Sequence, residues 1–259
     1  MTIQNHYTFG DGTLASRRLA LLAQAYEPPS RALLDLYRPR DLGLALDLGC
    51  GPGHTTRLVH RVSGARRTLG LDASERYLSQ AREGAPPGVA FVQEDVTAPS
   101  GRVPGARVVF CRFLLTHLAD PEGALCGFRE LVEPGGVLLL QETAMLASEH
   151  PAFCRYYELV AQLQAHYGQR LYIGQELEQL AAGAPFRVLH SHVRRFEQAA
   201  ATMAELHALN LGTWRFDAFA QRAFDGAELE QLEQRLLGIA RGAERVAPVS
   251  IGLGELALG

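Results

Sequence analysis

The sequence predicts an α/β fold, in which helices cover both faces of a mostly parallel, doubly wound sheet. Short apolar runs alternate with stretches of helical periodicity between residues 43 and 142. Several of these runs end in an acidic residue, and the first opens into a glycine-rich turn that leads into a helical pattern. With 259 residues and 47% hydrophobic content, the chain can bury a large core as one domain.

Residues 1–42 are predicted to be helical, with a polar tip, and to form a lid. Apolar residues recur at helical spacing between Leu14 and Ala25. Pro28-Pro29 suits the first turn of a second helix that runs through Tyr37, because a helix needs no N–H donor at that position. The lid is therefore expected to contain two helices.

Residues 43–142 are predicted to form the core of the sheet. Its five strands are expected at residues 44–48, 68–71, 89–92, 108–110 and 137–141. Ser74 is placed to cap the helix after the second strand, and Pro134-Gly135-Gly136 forms the turn before the fifth. Strands that alternate with helices in this way are typical of a parallel sheet, since each crossover needs a long connection.

Beyond residue 142 the pattern changes to helices that would cap the strand ends. The cap is assigned to residues 143–185, with helices expected at 151–167 and 174–182. Residues 186–259 are assigned to the end of the sheet, with a sixth strand near 186–196 and a helical insertion at 197–244. These caps hold most of the aromatic residues, so they are expected to determine which small molecule is bound.

Composition excludes several classes of function. A net charge of −3 and an isoelectric point near 6.3 argue against a nucleic-acid partner. No apolar run approaches the roughly 20 residues of a membrane span, and the polar residues 1–5 do not resemble a signal peptide. The cysteines form no close CxxC pair, which disfavours a metal site and disulfides and indicates a reducing cytoplasm.

The most informative stretch is Leu46-Asp47-Leu48-Gly49-Cys50-Gly51-Pro52-Gly53-His54. It joins a strand end to a tight turn and a helix, where doubly wound folds bind their ligands. A dinucleotide fingerprint would need glycine in place of His54, and Pro52 removes a backbone donor that a pyrophosphate would use. Asp47 would repel phosphate and attract a cation. The stretch therefore favours a positively charged ligand.

This stretch resembles the first motif of the class I S-adenosylmethionine-dependent methyltransferases, and the segments after it repeat the family's spacing. The resemblance is strong over residues 43–142 and weak beyond them. It implies a Rossmann-like sheet of seven strands, mostly parallel, with a last antiparallel strand near 245–258. It also implies S-adenosylmethionine as the cofactor, whose sulfonium and ammonium groups suit a turn flanked by acids.

The resemblance also implies which residues bind the cofactor. Asp72 would take both ribose hydroxyls; the alternative is a solvated acid that caps a helix. Asp95 would take the adenine amino group, with Glu94 as a competing candidate, and the Val96 backbone would contact a ring nitrogen. Tyr7, followed by Arg17-Arg18-Leu19, resembles a lid in which an aromatic residue covers the cofactor. The predicted cofactor-binding residues are Asp47, Gly49, Cys50, Gly51, Gly53, Asp72, Asp95, Val96, Phe110 and Tyr7.

Three residues after the fourth and fifth strands are candidates for catalysis. His117 would act as general base, since a hydroxyl acceptor must lose a proton; the alternative is a packed helix histidine. Arg112 would hold a carboxylate of the cofactor or of the acceptor, or form a structural ion pair. Glu142 would bind or deprotonate the acceptor, or serve as an acid at a helix start.

The predicted activity is methyl transfer to a small, partly apolar acceptor, with oxygen as the favoured atom, in secondary metabolism and by a monomer or homodimer. Transfer to nitrogen or carbon is the first alternative. From other classes, a nicotinamide-dependent oxidoreductase or a cofactor-binding protein that does not methylate, such as a cyclase of the same fold, stays open.

Overall fold

A seven-stranded sheet organises this computed structural model, which describes residues 13–37, 39 and 42–259. The strands are β1 (Leu44–Leu48), β2 (Arg67–Asp72), β3 (Val89–Gln93), β4 (Ala106–Arg112), β5 (Val132–Ala147), β6 (Val188–Gln198) and β7 (Val249–Leu258). The helices are α1 (Thr13–Leu36), α2 (His54–Ser63), α3 (Glu75–Arg82), α4 (Pro121–Phe128), α5 (Pro151–His166), α6 (Leu177–Ala181), α7 (Ala200–Trp214), α8 (Ala220–Ala223) and α9 (Gly226–Ala240).

The strand order is β3-β2-β1-β4-β5-β7-β6. Strands β1 to β5 pair in parallel, whereas β7 runs antiparallel to both of its neighbours, β5 and β6. The predicted sheet, mostly parallel with a last antiparallel strand, is therefore confirmed. This arrangement brings the carboxyl ends of β1 to β4 to one edge of the sheet.

Side chains in the central strands alternate between the two faces of the sheet. Ala45 and Val108 pack with residues of α1 and α2, whereas Leu46 and Val109 pack with residues of α4 and α6. This period of two follows from the pleat of a β-strand. Asp47 comes two residues after Ala45, so its side chain lies on the face that α1 and α2 cover.

The lid contains one helix where the sequence predicted two. Helix α1 continues through Pro28 and Pro29, although a proline inside a helix removes a hydrogen bond and crowds the preceding turn. Pro29 leaves the carbonyl of Ala25 without its helical donor, and the side-chain amide of Gln198 donates to that carbonyl instead. A contact from the end of β6 thus offsets the local preference for a break.

Strand β5 is longer than the predicted 137–141. Before the turn at Gly135, Val132 already pairs with Ala106, and at the far end Leu146 pairs with Ile251 of β7. The cap predicted from residue 143 therefore begins only after Ala147. Pairing with a strand that lies a hundred residues away in the chain decides this conformation, as is usual for β-structure.

The cap packs α5, α7 and α9 against α1 in one apolar cluster that includes Phe153, Tyr156 and Trp214. Helix α5 matches its prediction closely, but the helix predicted at 174–182 is divided into a 3-10 turn at Ile173–Gln175 and the short α6. Among the described helices, none combines the length and apolarity that crossing a bilayer requires.

Candidate functional site

A cavity of about 490 Å³ lies at the carboxyl ends of β1 to β4. The glycine turn after β1 forms one part of its wall, and the ends of β2 and β3 form the next. The turn after β4 and the residues Arg18 and Leu19 of α1 complete it. The cavity is therefore built where the sequence placed a ligand, and the lid helix closes one side.

The glycine turn combines unusual backbone geometry with close packing. Gly51 has φ 51° and Gly53 has φ 79°, conformations that side chains with a Cβ rarely adopt. A Cβ on Gly53 would come within 2.5 Å of the Phe91 ring, whereas one on Gly51 would lie 3.6 Å from Leu19. Gly53 thus serves the packing of β3 beneath the turn and does not line the cavity, while Gly49, Cys50 and Gly51 do.

Asp72 lies in the cavity wall and holds two turns together. One carboxylate oxygen accepts from the Gly51 N–H and the other from the Ser74 N–H, each at 2.8 Å. Burial raises the pKa of Asp72, and these N–H donors oppose that shift. A carboxylate accepts about four hydrogen bonds, so Asp72 retains acceptor sites for a ligand's hydroxyl groups.

Asp95 and Glu94 both line the cavity, but their hydrogen bonds differ. Both carboxylate oxygens of Glu94 accept from Ser100, one from its N–H and one from its hydroxyl. Asp95 uses one oxygen, Oδ1, for the N–H and hydroxyl of Thr97, at 3.0 and 2.6 Å. Asp95 is therefore better placed than Glu94 to accept from a ligand, and Val96 lies beside it in the wall.

Asp47 lies behind the wall, not in it. The residue is 1% exposed, and its carboxylate accepts from the Thr56 hydroxyl at 2.7 Å, which ties β1 to the first turn of α2. Burial raises its pKa to about 7. Phe110, its neighbour on β4, is fully buried in the same apolar layer. The structure therefore corrects the expectation of direct ligand contact at Asp47 and Phe110; Asp47 supports the turn.

Arg112 lines the cavity beside the glycine turn. Its guanidinium donates to the Ser30 hydroxyl at 2.8 Å and to the Thr55 hydroxyl at 3.2 Å. Ser30 in turn donates to the Gln141 side chain, which links α1 to the sheet. Burial lowers the pKa of Arg112 to about 10, so the group stays charged at neutral pH. The two hydroxyl groups hold the Arg112 guanidinium in place without neutralising its positive charge.

Glu142 does not reach the cavity wall either. Its Oε1 accepts from the N–H groups of Leu114 and Leu115, at 2.8 and 2.7 Å, and burial raises its pKa to about 8. The turn that it holds contains Phe113, at φ 55°, and ends near His117. The expected contact between Glu142 and the acceptor is therefore corrected: this carboxyl group positions the turn after β4.

His117 lines the cavity, as predicted, but its surroundings make it a weak base. Burial lowers its pKa to about 3, and the positive charge of Arg18 adds to this effect. A general base is most effective with a pKa near the working pH. The predicted role of His117 as general base stays a prediction, whereas Tyr7 lies outside the described residues.

A second, smaller cavity of about 100 Å³ adjoins the first, and no pattern in the sequence predicted it. Both cavities share Arg18, Leu22, Phe113 and His117 as wall residues. Most of the remaining wall comes from α5, α7 and the end of β5, including Gln164 and His207. The helical pattern of residues 14–25 includes Arg18, but that pattern did not indicate that Arg18 shares a cavity with residues of α5 and α7.

Part of this chain is similar in sequence to known methyltransferases. The sequence family described as a methyltransferase domain matches residues 45–136. The trans-aconitate 2-methyltransferase of Rhizobium leguminosarum is 34% identical over 130 residues, which are 48% of this chain and 50% of that protein. The chain thus spans about half the length of the curated relatives it matches.

Solved structures share the fold at low sequence identity. A Bacillus halodurans protein described as a candidate methyltransferase superimposes with a TM-score of 0.59 and 17% identity, covering 89% of this chain and 98% of the other. The phosphoethanolamine N-methyltransferase 2 of Haemonchus contortus, in complex with S-adenosylhomocysteine, gives a TM-score of 0.56 and 17% identity, covering 96% and 58%. At these identities the likeness concerns the fold.

Proposed function

This chain belongs to the class I S-adenosylmethionine-dependent methyltransferases, and from that premise we propose that it transfers a methyl group to an oxygen atom of a small acceptor. The observation that carries the proposal is the cavity at the strand ends, whose wall combines a glycine turn with the acids Asp72 and Asp95. Such a wall suits a cationic nucleoside and disfavours a pyrophosphate.

The wall residues fit the parts of S-adenosylmethionine. Asp72 would hold the ribose hydroxyls, and Asp95 with Val96 would hold the adenine. Arg112 lines the larger cavity and not the smaller one, which favours the cofactor's carboxylate over the acceptor as its partner. Once bound, the cofactor supplies an electrophilic methyl group: an acceptor oxygen forms the new C–O bond, and the electrons of the C–S bond go to sulfur.

We further propose that the oxygen belongs to a carboxylate. A hydroxyl acceptor needs a base, and the pKa of about 3 makes His117 a poor one. A carboxylate is already ionised at neutral pH and needs no base. The relatives that carry the name trans-aconitate 2-methyltransferase support the same acceptor class. The cytoplasmic location, the role in secondary metabolism and the monomeric or dimeric state stay predictions.

Calorimetry and product analysis test this proposal. We expect the protein to bind S-adenosylmethionine and not NAD, and to release S-adenosylhomocysteine when trans-aconitate or another small carboxylic acid is added. Mass spectrometry should find a methyl ester that mild base hydrolyses; a base-stable product would indicate transfer to nitrogen or carbon. Tight binding of NAD alone would contradict the family's chemistry. Cofactor binding without turnover on any acceptor would indicate a non-methylating protein.

A further inference from the structure

We infer that the smaller cavity is the acceptor chamber and that Arg18 makes it selective for small molecules with a carboxylate. This inference rests on the proposed methyl transfer and extends it to the choice of acceptor. Its basis is the charge and hydrogen bonding of the chamber wall, which the methyl-transfer proposal does not use.

The position of the chamber suits an acceptor. Arg18, Leu22, Phe113 and His117 line both cavities, so the two spaces meet along these side chains. An acceptor in the smaller space would therefore lie next to the cofactor, as in-line transfer requires. The volume of about 100 Å³ is well below the roughly 300–1,000 Å³ of sites for drug-sized ligands, which indicates a small acceptor.

The charge of the chamber favours an anion. Among the described residues that line it there is no aspartate or glutamate, and Arg18 is the arginine. Burial lowers the pKa values of His117 and His207 to about 3, so both imidazoles are neutral at neutral pH. The wall therefore carries one net positive charge in a poorly solvated space, where a carboxylate would be attracted strongly.

Several polar side chains of the chamber are buried, and those of Gln164 and His207 each have one atom left unsatisfied within the described residues. Arg18 is 4% exposed, and its guanidinium donates to the Asn210 side chain at 3.3 Å. Gln164 Oε1 and His207 Nδ1 have no hydrogen-bond partner there. A buried polar atom that stays unpaired lowers stability, because it has lost its hydrogen bonds to water. An ionised carboxylate has no proton to donate, so a hydroxyl elsewhere on the acceptor would supply the donor that Gln164 Oε1 lacks.

The rest of the wall restricts the body of the acceptor. Leu146 of β5, Val160 of α5 and Met203 and Leu206 of α7 give it an apolar surface. A short carbon skeleton fits beside them, and the carboxylate would face Arg18. A guanidinium can bind both oxygens of a carboxylate at once, which a neutral amide of the same shape does not reproduce.

Substitution of Arg18 tests the inference, with its neighbour Arg17 as the matched control. Arg17 lies on the same helix, is 69% exposed and pairs with Glu205 at the surface. We would measure the binding of trans-aconitate to protein saturated with S-adenosylhomocysteine, and kcat/KM for small carboxylic acids and their primary amides. For Arg18→Gln we expect affinity and kcat/KM toward acids to fall about 10- to 150-fold.

In the same experiment, Arg17→Gln should behave as the parent, and Arg18→Lys should retain part of the activity toward acids because it keeps the charge. Cofactor affinity should stay near that of the parent in all three, which also shows that they are folded. If Arg18→Gln does not fold, the parent's preference for acids over amides and the Arg18→Lys protein still decide the question.

Three results would overturn the inference: equal use of acids and amides by the parent, unchanged acid binding in Arg18→Gln, or a loss of cofactor affinity with an unchanged KM for the acceptor. The last result would assign Arg18 to the cofactor's carboxylate. If no acceptor turns over, yet Arg18→Gln weakens binding of trans-aconitate, the methyl-transfer proposal fails while the anion chamber stands.

Discussion

Two carboxylates near the glycine turn have different tasks because the sheet directs them to different surroundings. Asp72 ends β2 in the cavity wall and accepts from the N–H groups of Gly51 and Ser74. Asp47 lies beneath α2 and accepts from Thr56. The acid expected from its place in the motif to meet the cofactor is thus the one that supports the turn.

Asp72→Asn should weaken cofactor binding without unfolding the protein. Asparagine keeps the shape but turns one acceptor into a donor that faces an N–H group, and it removes the charge. A hydrogen bond to a charged group contributes about 1.5–3 kcal/mol, so calorimetry should show a Kd about 10- to 150-fold higher.

Asp225→Asn is the matched control for that substitution. Asp225 caps α9 and does not line either cavity, and asparagine caps a helix equally well. Its Kd should equal that of the parent. An unchanged Kd in Asp72→Asn would remove Asp72 from the cofactor site.

At the scale of elements, helix α2 packs closely on strand β2 because a glycine lies at their contact. Gly70 lies within β2, and a Cβ there would come within 2.6 Å of Thr56 Oγ1 and 2.7 Å of the Phe91 ring. Glycine inside a strand often marks such a close approach. It lets α2 sit close to the sheet, which positions the glycine turn.

Gly70→Ala should therefore destabilise the protein. Extra volume at a well-packed contact costs about 1–3 kcal/mol, and denaturant unfolding should show a loss of that size. Gly183→Ala is the control, since a Cβ there would have no neighbour within 4 Å, and its stability should be near that of the parent. Equal stability of both variants would show that α2 can move away from the strand without cost.

Across the whole molecule, buried acids make stability depend on pH. Burial raises the pKa of Glu142 from 4.5 to about 8, and that of Asp47 from 3.8 to about 7. The folded protein therefore holds protons that the unfolded chain releases. The stabilisation from each group is complete below its pKa in the unfolded chain. It is lost as the pH rises through its higher pKa in the folded protein.

Glu142→Gln should flatten this dependence. Glutamine keeps an oxygen for the N–H groups of Leu114 and Leu115 but does not titrate. Between pH 5 and 8 the free energy of unfolding of the parent should fall more steeply than that of the variant, by up to about 1.4 kcal/mol per pH unit. Denaturant titrations at several pH values measure the two slopes.

Glu133→Gln, at an exposed site on β5, should leave the slope unchanged. If the free energy of unfolding changed with pH equally in the parent and in Glu142→Gln, Glu142 would be ionised in the folded protein throughout this range.

The order of strands and helices and the presence of a cavity at the strand ends were predictable, because each rests on neighbours in the chain. Alternating burial, strand ends and the glycine turn are local patterns, and they placed β1 to β4, Asp72 and Asp95 correctly in the fold. They failed at Pro28-Pro29 and at residues 143–147, where contacts from β6 and β7 outweigh local preference.

The direction of side chains and the second cavity depended on long-range packing. Asp47, Phe110 and Glu142 face the interior because their strands pair in one register, which no local pattern reveals. Arg18, Gln164 and His207 come from three helices that are distant in the chain and meet only when the cap closes. Local sequence limits the conformations of a segment, whereas the burial and charge around a group arise only when distant segments pack together.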